Sequence, residues 1–397
     1  MDAELRVLHV LDSLAPGGSE RSFVEMLPEL VAGGVSPIVA CLHRRPGLEG
    51  EALAAGAEVR HLEAGGALAA IAPLRRLIRE LRPSLVHSSL FAANLAARLA
   101  AAGTGTPVLT SLVNVSYDPA RRRDPNLGRL RLGLVRRIDA WTARPLVDHF
   151  HAVSDAVRTA AVQDLGIRPA RVTVIPRGRD PARLGSPGET RRRAAREALG
   201  LPPAVPVVVA VGRQEYQKGH RSLLEAAARL KGSHPELRIL LAGRRGHASH
   251  ELEALVRERG LAQHVEFLGH REDVPQVLAA ADAFVLPSLF EGFPGAVVEA
   301  MALGLPVAGS DIGPLREVLG PGGGDFLAEP EDPAALAAVL DRLLRNPEAA
   351  AAAGRRNRER FLAELTVERS ARRMLDLYRW LIDPAAAGRR RAPGGHL

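Results

Sequence analysis

Several things that decide a protein's class are scarce in this chain. It has one cysteine, Cys41, in 397 residues. An internal disulfide is thereby excluded, which fits a reducing compartment and leaves the thiol, set in the run IVACLH, as a small core hydrophobe. No apolar run reaches the roughly 20 residues a membrane-spanning helix needs. The opening stretch MDAELRVLHVLDSL begins with acids and its apolar run is soon interrupted, so no secretory signal is expected. The sequon Asn114-Val115-Ser116 is discounted for the same reason. Aromatic residues make up 4% of the chain, so the core must be built from Leu, Val and Ala. No Cys/His cluster exists, and His220, His234 and the other histidines lack metal-ligand spacing. There is no Asp-x-Asp either, so no metal is expected.

Lysine is also scarce. Of 53 basic residues only Lys218 and Lys231 are lysines. The arginine bias, with the Ala, Gly and Pro load, resembles GC-rich coding, so part of the basicity carries no functional message. The net charge of +8 still favours anionic partners: phosphorylated ligands, acidic lipid headgroups or nucleic acid. Nucleic acid is set aside, because no binding module or interleaved aromatics accompany the charge. A dinucleotide dehydrogenase is set aside because LDSLAPGGSE does not supply Gly-x-Gly-x-x-Gly after the first strand.

What is present is alternation. Short apolar strands (RVLHVL, SPIVACL, SLVHSS, PVLTSLV, HFHAVS, RVTVIP, then PVVVAVG, RILLAG, VEFLG, AFVLPS, PVAGS) alternate with amphipathic stretches such as Glu20 to Val31, Arg221 to Leu230 and Glu251 to Arg259. That order predicts βαβ units and parallel sheets. Runs as apolar as VPVVVAVG suit strands buried on both faces. Between Arg177 and Ala204 the chain is rich in Pro, Gly and Arg, and the strands restart at Val207. Two doubly wound α/β domains facing across a cleft are therefore expected, residues 1–180 and 189–365. A helix over about 366–383 packs back on the first, and a disordered basic tail, 384–397, follows.

The stretch LPSLFEGFPGAVVEAMALGLPVAG places Glu291 and Glu299 eight positions apart. The first falls at a strand's carboxyl end. The second falls inside the following helix, which Pro294 and Gly295 open and Gly304 ends. Such a helix start offers N–H groups to a phosphate or a sugar hydroxyl. The plainer account is one acid favouring the helix dipole and one exposed helix glutamate, but Val297, Val298, Ala300 and Met301 flank Glu299. In VAVGRQEYQKGH, Arg213 and Lys218 follow a strand on either side of a loop. Alone they would read as a solvated loop. Beside the glutamate loop they read as a diphosphate clamp.

These pieces, with PGGSERSFVEML, HAVSDAVR, VIPRGRD, LLAGRRG and FLGHREDVPQVL in this order, make the chain similar to the retaining glycosyltransferases of the GT-B fold, family 4 (glycosyl transferases group 1). The resemblance covers nearly the whole chain and is strongest from Val207 to Leu319. It implies that Arg213 and Lys218 bind and stabilise the departing nucleoside diphosphate. Glu291 would face the transferred sugar, and Gly292, Phe293 and Pro294 would meet its hydroxyls. Glu299, beside Val298, would bond the ribose. His270 and Arg271 would lie near the base, and Gly17 and Gly18 would form a tight turn near the donor phosphates. The implied activity is metal-independent transfer with retention from a nucleoside-diphosphate sugar to an unidentified acceptor, in polysaccharide, glycolipid or small-glycoside synthesis. It would occur in the cytoplasm, with domain closure excluding water.

There are departures. Val113 stands where the family's histidine is expected, leaving Asn114 or Tyr117 to substitute. VIPRGRD replaces the commoner Asn-Gly-Val-Asp with Arg177 and Arg179, which either meet an anionic group or are hinge-surface arginines. His87 is either an acceptor contact or a core histidine. Residues 121–137, RRRDPNLGRLRLGLVRR, would as a helix set Leu127, Leu130, Leu134 and Ile138 on one side, away from Arg129, Arg136 and Arg137. That is either a surface for acidic membrane lipid or an ordinary arginine-rich helix. The alternative to an enzyme is a catalytically silent GT-B scaffold that binds a nucleotide sugar or a partner protein. Val113 favours it, while Arg213, Lys218, Glu291 and Glu299 oppose it.

Overall fold

A computed structural model describes residues 5–124 and 128–383. The expected tail, 384–397, Leu127 and the side chain of Arg129 lie outside what is described. The chain divides into two units, one of residues 5–118, 128–178 and 366–383, the other of 119–124 and 179–365.

The first unit holds a parallel sheet of β1 (Leu5–Leu11), β2 (Val35–Cys41), β3 (Glu58–His61), β4 (Leu85–Ser89), β5 (Val108–Leu112), β6 (His149–Ala152) and β7 (Val172–Val174), in the order β3-β2-β1-β4-β5-β6-β7. The second holds β8 (Val207–Val211), β9 (Arg238–Ala242), β10 (Val265–Gly269), β11 (Ala283–Leu286), β12 (Val307–Ser310) and β13 (Leu327–Ala328), in the order β10-β9-β8-β11-β12-β13. All strand pairs are parallel, as in β1–β4 and β8–β11. Parallel neighbours need crossover helices, which cover both faces of a sheet. This is why Val207 to Ala210 can be apolar throughout and essentially inaccessible.

In both sheets the strand order reverses at one place, between β1 and β4 in the first and between β8 and β11 in the second. At such a switch point the loops after adjacent strands splay apart, leaving a crevice at the strands' carboxyl ends.

Two strands were not expected from the sequence, β3 and β13, and both are sheet edges. The residues Glu58-Val59-Arg60-His61 alternate exposed and half-buried, so they lack the apolar run that marks a central strand. The stretch from Arg177 to Ala204, which showed no strand, carries helices Pro181–Leu184 and Glu189–Ala198 and belongs to the second unit from Arg179 onward. Helix Val367–Ile382 returns to the first unit, where Met374, Leu377 and Tyr378 pack with Val7, Leu30 and Leu109. A buried Leu or Met of this kind contributes about 1.5–3 kcal/mol.

Candidate functional site

The second unit's switch point brings the two expected loops together. After β8 the chain passes through Gly212 and Arg213, makes a short 3-10 turn at Tyr216–Lys218, and enters helix His220–Leu230 through Gly219. Gly219 has φ +61, and a Cβ there would stand 1.9 Å from the Pro287 carbonyl oxygen. Only glycine allows this left-handed turn to lie against the loop after β11. Leu289 N–H then donates to the Gln217 carbonyl (2.8 Å), and Gln217 Nε2 donates to the Phe290 carbonyl (2.9 Å).

The two loops are thereby stitched, and their polar ends meet. Lys218 Nζ donates to Glu291 Oε1 at 2.6 Å, and Ser288 Oγ donates to the same oxygen at 2.7 Å. Glu291 is 6% exposed. Its Oε2 receives only a long contact, 3.5 Å from Gln217. An ammonium has three N–H groups, and one of Lys218's is used on Glu291. The lysine stem runs over Gly212, 3.2 Å from where a Cβ would be, so its course is fixed.

Arg213 differs from Lys218. Its side chain is 66% exposed and reaches only to 4.0 Å from Glu215. The structure shows no contact between it and Glu291.

Glu299 sits in helix Gly295–Ala302 and is held by cations of its own. Arg179 Nε donates to Glu299 Oε1 at 2.8 Å, with the Arg183 guanidinium 3.9 Å from the same oxygen. Arg179 is 2% exposed, so it is not a hinge-surface arginine. The plainer reading of Glu299 as an exposed helix acid fails as well, since its side chain is 13% exposed. Phe293 is 3% exposed, and Gly292, Pro294 and Val298 are buried beside it. His270 and Arg271 follow the edge strand β10. Arg271 is bound through two donors to Asp273 (2.7 and 2.6 Å), and His270 lies 3.5 Å from Arg244.

In the first unit, Gly17 caps helix Gly18–Ala32 in extended conformation, and neither Gly17 nor Gly18 has a positive φ. The tight turn expected there is not what requires glycine. The space beside Gly18 is open, with only the Arg177 guanidinium at 4.0 Å, and Arg177 donates to Ser19 Oγ at 2.7 Å. A pocket at this end of the sheet is lined by His9, Ser19, His87, Ser89, Val113 and Arg177 among others.

The three acceptor-side candidates are engaged within the unit. Tyr378 OH meets His87 Nδ1 (2.7 Å), His87 Nε2 meets Ser111 Oγ (2.7 Å), Ser111 Oγ meets His151 Nδ1 (2.8 Å), and His151 Nε2 meets the Ile175 carbonyl (2.9 Å). A carbonyl only accepts, so His151 donates to it, and each proton back along the chain is then assigned. Tyr378 donates to His87, His87 to Ser111, and Ser111 to His151. Burial keeps both rings neutral, pushing His87 well below its ordinary range and His151 down to about 4. His87 thus has no nitrogen left for a ligand and is a core histidine. Tyr117, 6% exposed, donates to Asp139 Oδ2 at 2.7 Å. Asn114 Oδ1 accepts from the next backbone N–H, Val115, at 2.9 Å.

Sequence reasoning missed Ser288 and Gln217 as supports of Glu291, and Arg179 as the partner of Glu299. The first two lie beside marked residues in both loops, but only the folded approach at Gly219 shows why they matter.

Residues 191–360 match the family model for glycosyl transferases group 1, and residues 16–183 the model for glycosyltransferase family 4. A 2-deoxystreptamine glucosyltransferase of Streptomyces kanamyceticus is 31% identical over 71% of this chain and 72% of its own length. A D-inositol 3-phosphate glycosyltransferase of Geodermatophilus obscurus is 34% identical over 64% of this chain, which spans about half (54%) of that relative. Among solved structures, Anabaena HepE in complex with UDP-glucose superposes with a TM-score of 0.79 at 23% identity, covering 93% of this chain and 98% of that one. Sucrose-phosphate synthase of Thermosynechococcus elongatus gives 0.82 at 22% identity, covering 95% and 99%. The chain belongs to the group 1 glycosyltransferases, with the GT-B fold.

Proposed function

We propose that this glycosyltransferase is a retaining, metal-independent enzyme that takes its sugar from a nucleoside-diphosphate donor, with UDP-glucose the first to try. The observation that carries the reading is the Lys218–Glu291–Ser288 cluster at the β8/β11 switch point. Its cation retains two donors for a diphosphate, and its carboxylate has one oxygen with no close partner for a sugar hydroxyl. Arg213 on the same loop and the first N–H groups of helix Gly295–Ala302 add positive potential, which supports neutralising the leaving group without a metal. The HepE complex with UDP-glucose supports the donor class.

In the proposed step the bond from the anomeric carbon to the diphosphate oxygen breaks. The bond to the acceptor oxygen forms on the same face, and the acceptor's proton passes to the departing phosphate. The protein then works mainly by positioning and charge stabilisation.

The test is proton NMR of UDP-glucose turnover in excess EDTA. The α anomer should appear first, whether on water or on an added acceptor, and Glu299→Ala should lose the UDP-induced rise in melting temperature. A β product, or turnover abolished by EDTA, would refute the mechanism.

A second reading concerns where the enzyme works. Helix Arg129–Leu146 exposes Leu130 (93%), Leu134 (59%) and Trp141 (74%). Arg137, expected on another side, is exposed between them, because positions 130, 134, 137 and 141 fall on one stripe at i, i+4, i+7 and i+11. Ile138 is half-buried, and Arg136 lies 3.7 Å from Asp164. No described helix is long and apolar enough to cross a membrane. The stripe instead supports resting on an acidic bilayer surface. Sedimentation with phosphatidylglycerol vesicles should be salt-sensitive and should fall in Trp141→Glu. Equal binding by the variant would remove this reading.

A further inference from the structure

The two carboxylates of the candidate site are held alike. Each has its Oε1 fixed by a buried or half-buried cation, Lys218 for Glu291 and Arg179 for Glu299. Glu299 Oε2 has no hydrogen bond among the described residues. We infer that Arg179 is a positioning residue: it locks Glu299 in one rotamer and presents Oε2 to a hydroxyl pair of the donor, so the enzyme selects nucleotides that carry this pair over those that lack it. This rests on the donor reading of Glu299 given above.

Three observations carry it. Arg179 is anchored at its own backbone, its N–H donating to the Leu365 carbonyl at 3.0 Å, and Asp180 next to it caps helix Pro181–Leu184 through Ala182 N–H at 2.7 Å. The side chain therefore leaves from a fixed point. Its guanidinium then lies against Gly295, the first residue of the helix that carries Glu299. A Cβ at Gly295 would stand 2.0 Å from an Arg179 terminal nitrogen, so a side chain there would push the guanidinium from its present place. Finally, the pair is directional. Nε of Arg179 takes Oε1 alone, not both oxygens as a fork would. One oxygen is spent on orientation and the other is kept.

The chemistry follows. An ionised carboxylate only accepts hydrogen bonds, so what Oε2 can take is a donor such as a ribose hydroxyl. Without Arg179, Glu299 would retain only the Arg183 guanidinium at 3.9 Å and would sample several rotamers before meeting its ligand. A hydrogen bond to a charged group is worth about 1.5–3 kcal/mol, or roughly 10- to 100-fold in affinity.

The experiment is calorimetric titration of the full chain with UDP and with 2′,3′-dideoxy-UDP. It uses wild type, Glu299→Ala, Arg179→Met, Arg179→Lys and Gly295→Ala. The last retains both charges and suits a helix start, so it guards against a variant that merely fails to fold. Wild type should prefer UDP by about tenfold or more. Glu299→Ala should abolish the preference. Arg179→Met and Gly295→Ala should bring it down toward the Glu299→Ala level while dideoxy-UDP binds as in wild type, and Arg179→Lys should restore part of it. If Arg179→Met and Gly295→Ala discriminate as wild type does while Glu299→Ala does not, Arg179 is only structural and the inference falls alone. If wild type does not discriminate, the ribose reading of Glu299 falls and takes the inference with it.

Discussion

Lys218→Met is expected to lower kcat/KM for transfer from UDP-glucose by a factor on the order of 10²–10³, the loss seen when one preorganised charge-stabilising donor is removed. Methionine retains the stem that runs over Gly212 and removes only the ammonium, so the loop path past Gly219 should survive. Two effects then separate. On the proposed donor reading, the diphosphate would lose its less exposed cation on this loop, since the Lys218 side chain is 20% exposed against 66% for Arg213. A charge held in a partly dry site acts more strongly than one in water. Glu291 also loses its ion pair and retains only Ser288 and the long Gln217 contact, so stability falls together with activity. Arg213→Met, by contrast, should cost less in rate and almost nothing in stability, because its ion contact is exposed and 4.0 Å long. Steady-state kinetics and melting curves on the two variants check both statements. Activity of Lys218→Met within threefold of wild type would remove the lysine from the chemistry.

The contrast between these two cations also shows what was legible in the sequence. Central parallel strands announce themselves because burial on both faces demands continuous apolar residues, as in Val207 to Val211. The edge strands β3 and β13 do not, because β3 alternates exposed and half-buried residues and β13 is only two residues long. The loop residues Lys218, Glu291 and Glu299 could be marked from their spacing around a strand end and a helix start. Their partners could not, because the link from Lys218 to Glu291 depends on a left-handed glycine whose neighbour is the carbonyl of Pro287, far along the chain. The same holds for Arg179, which in the sequence reads either as a hinge-surface arginine or as a contact to an anionic group. Only the open Cα of Gly295 shows that a guanidinium fits against that helix. His87, for which the sequence left both readings open, and Tyr117 show the converse. A histidine at a strand end and a tyrosine in a loop resemble ligand contacts until the network that consumes their polar atoms is traced.

Tyr117 belongs to the feature on which the largest stability effect is expected. Arg98 is 1% exposed and Asp139 9%, and Arg98 donates to Asp139 Oδ1 at 2.6 Å and to Thr142 Oγ1 at 3.1 Å. Tyr117 takes the other carboxylate oxygen. Asp139→Ala would leave a guanidinium inside the first unit with no counter-charge in contact, at a cost of about 3–5 kcal/mol. Total stability of a domain is about 5–15 kcal/mol, so this is a large share. Intrinsic fluorescence follows this unit, because both tryptophans, Trp141 and Trp380, lie in it. Denaturant unfolding of Asp139→Ala should therefore show a sharply lowered midpoint. The pair is not itself a good source of stability, since Nε and one terminal nitrogen of Arg98 are buried without a partner. The combined variant Arg98→Met, Asp139→Leu, Tyr117→Phe removes every charged and orphaned group at once, and it should unfold at or above the wild-type midpoint. If it does, the network serves to fix helix Arg129–Leu146 against helix Phe91–Ala101 rather than to hold the unit together. The exposed stripe of Leu130, Leu134 and Trp141 is then the feature whose orientation it sets. Vesicle binding by the combined variant should then weaken although the fold does not, a split that a purely energetic role for Arg98 would not produce.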